Sequence, residues 1–123
     1  MSKYIELIGA DEPAVSIFID PDFMEVIYTI YKNNGTKATG IVLSSGKKRL
    51  VRNDIEDVMK LTPKIKWKKF THYKDGNNMW FNVDAVTSFG NEDEDGAEII
   101  LRAAYTMGVK EKTAEIKQIL EVA

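Results

Sequence analysis

A lone histidine limits the chemistry this chain could perform. His72 sits between Thr71 and Tyr73, and any relay of nucleophile, base and acid would have to pass through it. The candidate nucleophiles Ser44, Ser45 and Ser88 fall in turn or loop contexts without the glycine pattern of a nucleophile elbow. A histidine so placed is expected to pack or to face solvent. The carboxylate pairs Asp54/Asp57 and Asp75/Asp84 could serve as acid and base, but the first pair belongs to the opening turn of a predicted helix, where the dipole favours negative charge without catalysis. Neither GxxxxGK[ST] nor GxGxxG occurs, so no phosphate-cradling loop is expected. The absence of cysteine removes disulfides, thiolate nucleophiles and thiolate metal sites together. The expectation is a chain that is not an enzyme, with no cofactor and no metal.

Cations interleaved with aromatics form the most suggestive group. Lys47, Lys48, Arg49 and Arg52 flank one predicted hairpin; Lys64, Lys66, Lys68 and Lys69 surround Trp67 on the next, with Phe70, His72 and Tyr73 close by. If the two hairpins are neighbours in one sheet, these side chains share a face suited to phosphate contact and base stacking. The competing reading is that lysines keep strand edges soluble and unpaired. A net charge of −2 argues against nonspecific nucleic-acid binding.

Three short stretches carry resemblances. Asn91-Glu92-Asp93-Glu94-Asp95-Gly96 resembles the start of a calcium loop, with Asn91, Asp93, Asp95 and Gly96 at its first, third, fifth and sixth places, but Arg102 stands where a bidentate glutamate should complete the oxygen cage. Ala104, Gly108, Val109 and Thr113 are similar to the alanine, turn glycine, following valine and helix-opening threonine of helix-turn-helix DNA-binding motifs. Lys117 stands where that motif wants an apolar residue. The central region, with its glycine hairpin, short helix and Phe81-Asn82-Val83, resembles the layout of LytTR-type DNA-binding domains, without their basic-histidine signature. None of the three is complete enough to assign a family.

The elements that must position these residues follow from periodicity. Alternation predicts strands over 3–8 and 14–19, with the turn at Gly9 to Pro13. Phe23 to Tyr31 reads two ways: as a helix capped by Asp20 with Pro21 at its first position, or as a strand of about 25–32 turned back by Asn33-Asn34-Gly35. The strand reading is preferred. Gly40 to Leu61 is the clearest stretch. Ile41-Val42-Leu43 runs into the turn Ser44-Ser45-Gly46, Leu50-Val51 returns, and Asn53 with Glu56 caps a helix that Pro63 stops. Its apolar face is Ile55, Val58 and Met59. Lys64 to Tyr73 and Met79-Trp80-Phe81 form a further hairpin about Lys74-Asp75-Gly76-Asn77. The segment Asn82 to Val86 echoes Asn53 to Val58, which suggests a loose repeat that aligns Gly46 with Gly76. Asp95 with Glu98 predicts a helix over 96–107 ended by Gly108, followed by a charged helix whose stripe is Ile116, Ile119, Leu120 and Ala123.

The sum is an α+β fold in one domain spanning 1–123: an antiparallel, hairpin-rich sheet, one short inserted helix, and a C-terminal helix pair packed on one face. No apolar run approaches a signal core or a membrane span, so a soluble, cytoplasmic protein with no membrane partner is expected. The leading functional reading is a non-catalytic protein-binding or regulatory accessory module, including a homodimer, with Trp67, Tyr73 and Trp80 as contact aromatics. The alternative is a DNA- or RNA-binding regulator using 47–52 with 64–73.

Overall fold

The computed structural model describes residues 3–11, 13–103 and 106–121. Strands β1 (Ile5–Ile8) and β2 (Ser16–Ile19) form a hairpin and a 3-10 turn follows at Pro21–Phe23. Next comes a meander of β3 (Met24–Tyr31), β4 (Lys37–Leu43) and β5 (Lys48–Val51), and then helix α1 (Ile55–Leu61). The same series then runs again: hairpin β6 (Trp67–Thr71) and β7 (Asn78–Asn82), a 3-10 turn at Val83–Ala85, meander β8 (Val86–Asp93), β9 (Gly96–Leu101) and β10 (Thr106–Val109), and helix α2 (Thr113–Ile119). Among the described residues no helix is long and apolar enough to cross a membrane.

The duplication extends to single hydrogen bonds. Asp20 accepts the Asp22 amide at 3.0 Å to cap the first 3-10 turn, and Asn82 accepts the Asp84 amide at 3.0 Å to cap the second. The Ser44 amide reaches the Phe23 carbonyl at 2.8 Å, and the Arg102 amide reaches that of Ala85 at 2.9 Å. Gly9 bridges Val51 and His72 bridges Val109, so the end of each hairpin is tied to the last strand of its own meander. Even the irregularity recurs: β3 slips register against β4 between Met24 and Val26, and β8 against β9 between Val86 and Ser88. A bulge kept at the same place in both copies is a built feature of the unit.

Each repeat has its own core. Leu7, Ile19, Met24, Ile27, Ile41, Val51 and Val58 fill the first; Phe70, Met79, Phe81, Ala85, Ile99, Leu101, Val109 and Ile116 fill most of the second. The repeats meet where β3 pairs antiparallel with β7, giving a five-stranded sheet in the order β5-β4-β3-β7-β6. Successive strand residues point to opposite faces. Hence Ile27 and Ile41 enter the first core while their neighbours Val26 and Val42 enter the second. The shared sheet is a common wall, and Val58 of α1 and Ile116 of α2 each close one core.

Several expectations are corrected. Residues 96–101 and 106–109 are strands, so the C-terminal helix pair reduces to the single helix α2 and the helix-turn-helix resemblance has no first helix. Ala97, Ile99 and Leu101 are buried in alternation, which is a strand period. Asp93, not Asp95, does the local capping, with its Oδ1 accepting the amides of Asp95 at 2.8 Å and Gly96 at 3.2 Å in a hairpin turn. Ala104, Tyr105, Val122 and Ala123, on which parts of those expectations fell, lie outside the described residues. The cap of α1 is Asp54, which accepts the Asp57 amide at 2.9 Å. Asn53 is engaged elsewhere: its Oδ1 takes the Ile8 amide at 2.8 Å and its carbonyl the Thr39 hydroxyl at 2.6 Å. The echo between 46–58 and 76–86 is not the repeat. Gly46 closes β4–β5 and Gly76 closes β6–β7, whose counterpart is the β1–β2 connection. Of the ambiguous segment, Phe23 ends the 3-10 turn that Asp20 caps and Pro21 opens, and Met24–Tyr31 is strand β3, returned by Gly35 at φ 82° as the strand reading required.

Candidate functional site

The shared sheet places the two basic segments at opposite edges. Lys48 and Arg49 lie on β5, Lys68 and Lys69 on β6, with β4, β3 and β7 between them. At ~4.8 Å per strand the edges are about 19 Å apart. The hairpins are therefore not neighbours, which was the condition for a common cationic face. Cross-strand register instead sets the rows Lys48–Val42–Val26–Phe81–Lys68 and Arg49–Ile41–Ile27–Trp80–Lys69, apolar in the middle and cationic at both ends. Such lysines keep an edge from templating another strand. Lys47 and Lys64 lie in the exposed connections beside these strands, and the Arg52 amide donates to the Ile8 carbonyl. Lys66 and Lys68 approach Glu121 at 3.4 and 3.9 Å.

The aromatics divide likewise. Trp67 and Trp80 are half-buried against the first core, and the Trp67 indole donates to Thr62 Oγ1 at 3.0 Å. Tyr73 stays exposed at 43% and forms one wall of a cleft between the repeats.

That cleft, about 470 Å³, has Tyr28, Val42 and Lys48 of the first repeat on one side and His72, Tyr73, Met79 and Met107 of the second on the other. Two glycines make room for its tyrosines. A Cβ on Gly40 would lie 2.4 Å from Tyr28 Cζ, and one on Gly108 would lie 2.4 Å from Tyr73 Cδ1, so each ring lies flat against bare backbone. Val42, Met79 and Met107 supply an apolar floor, and methionine adapts to irregular shapes. The polar rim comes from the β6–β7 turn. His72 Nδ1 accepts the Lys74 amide at 3.3 Å and lies 3.3 Å from Asp75 Oδ1, an ion pair only when the imidazole is protonated. The Asn77 amide donates to Asp75 Oδ1 at 2.9 Å, and this bond, helped by the charge of His72, holds the Asp75 carboxyl below its ordinary value. Nδ1 of His72 and the Asp75 carboxylate are thus committed to turn geometry. Sequence reasoning reached Tyr73 and Lys48 but missed Tyr28, Met79 and Met107. The readable signal was the pairing of a large ring with a glycine in a strand, at Gly40 and Gly108.

The acidic loop is likewise occupied with structure. Besides the Asp93 turn, Glu92 Oε1 accepts the Thr113 amide at the start of α2 at 2.7 Å, and Asn91 Nδ2 donates to Glu98 at 3.0 Å. Arg102, at the twelfth place of the calcium-like pattern, turns to Glu25 and Asp22 instead. Among the described residues no group of three or more His, Asp or Glu side chains is placed to hold a metal ion.

The fold and cleft define a class: two small β-meander repeats fused through a shared sheet, with an amphipathic cleft at their junction. No protein-family model, curated protein or solved structure matches the chain.

Proposed function

We propose that this chain is a non-catalytic protein-binding module whose cleft between the repeats receives an extended segment of a partner protein. The observation that carries the reading is the glycine-backed pair Tyr28 and Tyr73 over the floor of Val42, Met79 and Met107. Its volume lies within the ~300–1,000 Å³ of typical ligand clefts, and rigid tyrosines contribute contact area at little entropic cost. An apolar or aromatic side chain fits the floor, while Lys48, Asn77 and Asn78 on the rim suit the polar backbone on either side of it. The absence of cysteine fits a cytoplasmic setting for such a module. Cations divided between opposite sheet edges favour no second reading as a nucleic-acid binder.

A random peptide library panned against the full chain tests this. Enriched peptides should share a large apolar residue. Tyr73→Ala and Met107→Lys should each weaken their binding about tenfold or more, as truncating a hot spot does, while Lys69→Glu, in the row that faces the first core on the other side of the sheet, leaves it unchanged. Peptides whose affinity ignores Tyr73 and Met107, or a library that enriches nothing, would remove the reading.

A further inference from the structure

The seam between the repeats is a strand pair formed once whose two halves are each present twice. In the seam β3 pairs with β7 as Val26↔Phe81, Ile27↔Trp80 and Tyr28↔Met79. The counterpart of β3 is β8, and that of β7 is β2. Among the described residues β8 has only β9 beside it and β2 only β1, so each leaves one edge without a strand partner. We propose that a second copy of this chain lays its β2 along β8, repeating the internal seam between molecules and building a head-to-tail array. Transposed onto β8 and β2, the register is Ser88 opposite Ile19, Phe89 opposite Phe18, and Gly90 opposite Ile17 of the next copy.

Four observations carry this beyond the mere presence of open edges. Over Val86 to Gly90 the β8 edge has the shape of the β3 edge, because both strands carry the same register shift one residue in; β8 slips a second time only between Gly90 and Asp93, beyond the last of the three seam pairs. Helix α2 packs beside β8 as α1 packs beside β3, where the helix leaves the edge open to β7. An apolar side chain covered in the internal seam is uncovered at the equivalent place: Trp80 is half-buried against the first core, whereas Phe18 is 63% exposed. Finally, the protection is selective. The outer edges β5 and β6 carry Lys48, Arg49, Lys68 and Lys69. Strands β1 and β10, which carry no cation, end in bridges at Gly9↔Val51 and His72↔Val109. Ser16-Ile17-Phe18-Ile19 and Val86-Thr87-Ser88-Phe89-Gly90 carry no cation and, among the described residues, no bridge on their outer side.

One residue weakens the intermolecular seam relative to the internal one. Asn82 Nδ2 donates across the internal seam to the Met24 carbonyl at 2.9 Å. Its counterpart is Asp20, a carboxylate 3.4 Å from Lys3 Nζ that offers the Val86 carbonyl of another copy no N–H. Association is therefore weaker than the internal contact and concentration-dependent. Because the two surfaces differ, the contact is heterologous and propagates into a ring or filament. It uses neither Tyr73 nor Met107 and is independent of the cleft.

Sedimentation velocity on the full chain over a concentration series up to ~1 mM, the range of weak association, tests it. The average mass should rise above the monomer with concentration. Asp20→Asn, which restores the seam amide, should move the midpoint to about tenfold lower concentration, one hydrogen bond's worth. Phe18→Lys and Ser88→Lys, both at exposed positions, should each abolish growth, while a mixture of the two variants forms a dimer and stops, since one intact β8 meets one intact β2. A wild-type chain monomeric throughout, an Asp20→Asn variant no more associated than wild type, or a single variant that still self-associates would each overturn the proposal. Circular dichroism on each variant checks that it is folded before its association is read.

Discussion

Arg102 leaves the end of β9 and brings its Nε to 3.4 Å from Oε2 of Glu25, a fully buried carboxylate at the register shift of β3. The contact joins the second repeat to the first. Arg102 Nη2 also donates to the Asp22 carbonyl at 2.9 Å, and the Ala103 amide and the Ser44 hydroxyl complete the shell around Glu25. Losing one member of a fully buried pair costs about 3–5 kcal/mol. The Arg102 side chain is 39% exposed, so water takes over part of its role and Arg102→Met should cost less, roughly 1–3 kcal/mol. Glu25→Gln combined with Arg102→Met should be less destabilised than the sum of the single variants. Additive urea-denaturation energies would show that the two groups are not coupled.

Asn82 holds the repeats together from the other side. Its Oδ1 caps the 3-10 turn at Asp84 and its Nδ2 ties Met24 across the seam. Asn82→Ala should therefore cost about 1–3 kcal/mol, since a buried carbonyl loses its donor and a cap is lost. Asn82→Asp keeps the cap and loses only the donor, so it should destabilise as well. A thermal midpoint unchanged in Asn82→Asp would show that the seam bond contributes nothing.

Gly96 and Gly46 both have positive φ, 146° and 84°, where side chains are seldom found, yet should respond differently to alanine. A Cβ on Gly96 would fall 1.8 Å from the Val109 carbonyl oxygen, so the β9–β10 pair must separate; one on Gly46 meets nothing within 4 Å. Gly46→Ala should cost only the ~1–2 kcal/mol of a left-handed non-glycine residue. Gly96→Ala should cost more and lower amide protection along β10. Equal costs, read from chemical denaturation, would place the close approach at Gly96 in doubt.

The same residues show what was legible in the sequence. Glycines that close hairpins, at 35, 46 and 76, were readable because a left-handed turn admits few other residues. So were the strands from β1 to β7, by alternation in β1 and β2 and by turn signals in the others, with β3 the preferred of two readings. The segment 96–107 was misread because a carboxylate accepting nearby amides serves a hairpin turn as well as a helix cap. The run Ile99-Ile100-Leu101 also hid the burial of alternate residues in a central strand. The repeat was hidden because equivalent positions share geometry rather than residue type: Phe23 matches Ala85, and Glu25 matches Thr87. Gly40 and Gly108 were readable as strand glycines but the cleft was not, since Tyr28 and Tyr73 come to line one cleft only through the β3–β7 pairing, and no local pattern specifies which strands of two similar units will pair.

Asp75 gives the fold a dependence on acid whose sign follows from its contacts. The Asn77 amide, and secondarily the charge of His72, lower its folded pKa beneath the ordinary 3.8. A group whose folded pKa is depressed contributes stability that is fully present above its unfolded value and lost as pH falls through the folded one. The β6–β7 turn should therefore be at its tightest above pH 3.8 and loosen below it. A carboxyl titration of Asp75 followed by NMR should give a midpoint under 3.8, with the Asn77 amide shifting in step. His72→Ala should raise that midpoint only in part, because the hydrogen bond from Asn77 is the larger cause. In Asp75→Asn, the Asn77 amide should lose its acid-side shift altogether. A midpoint at or above 3.8 would mean that the turn does not hold the carboxylate as described, and that the His72 side of the cleft rim is set by some other contact.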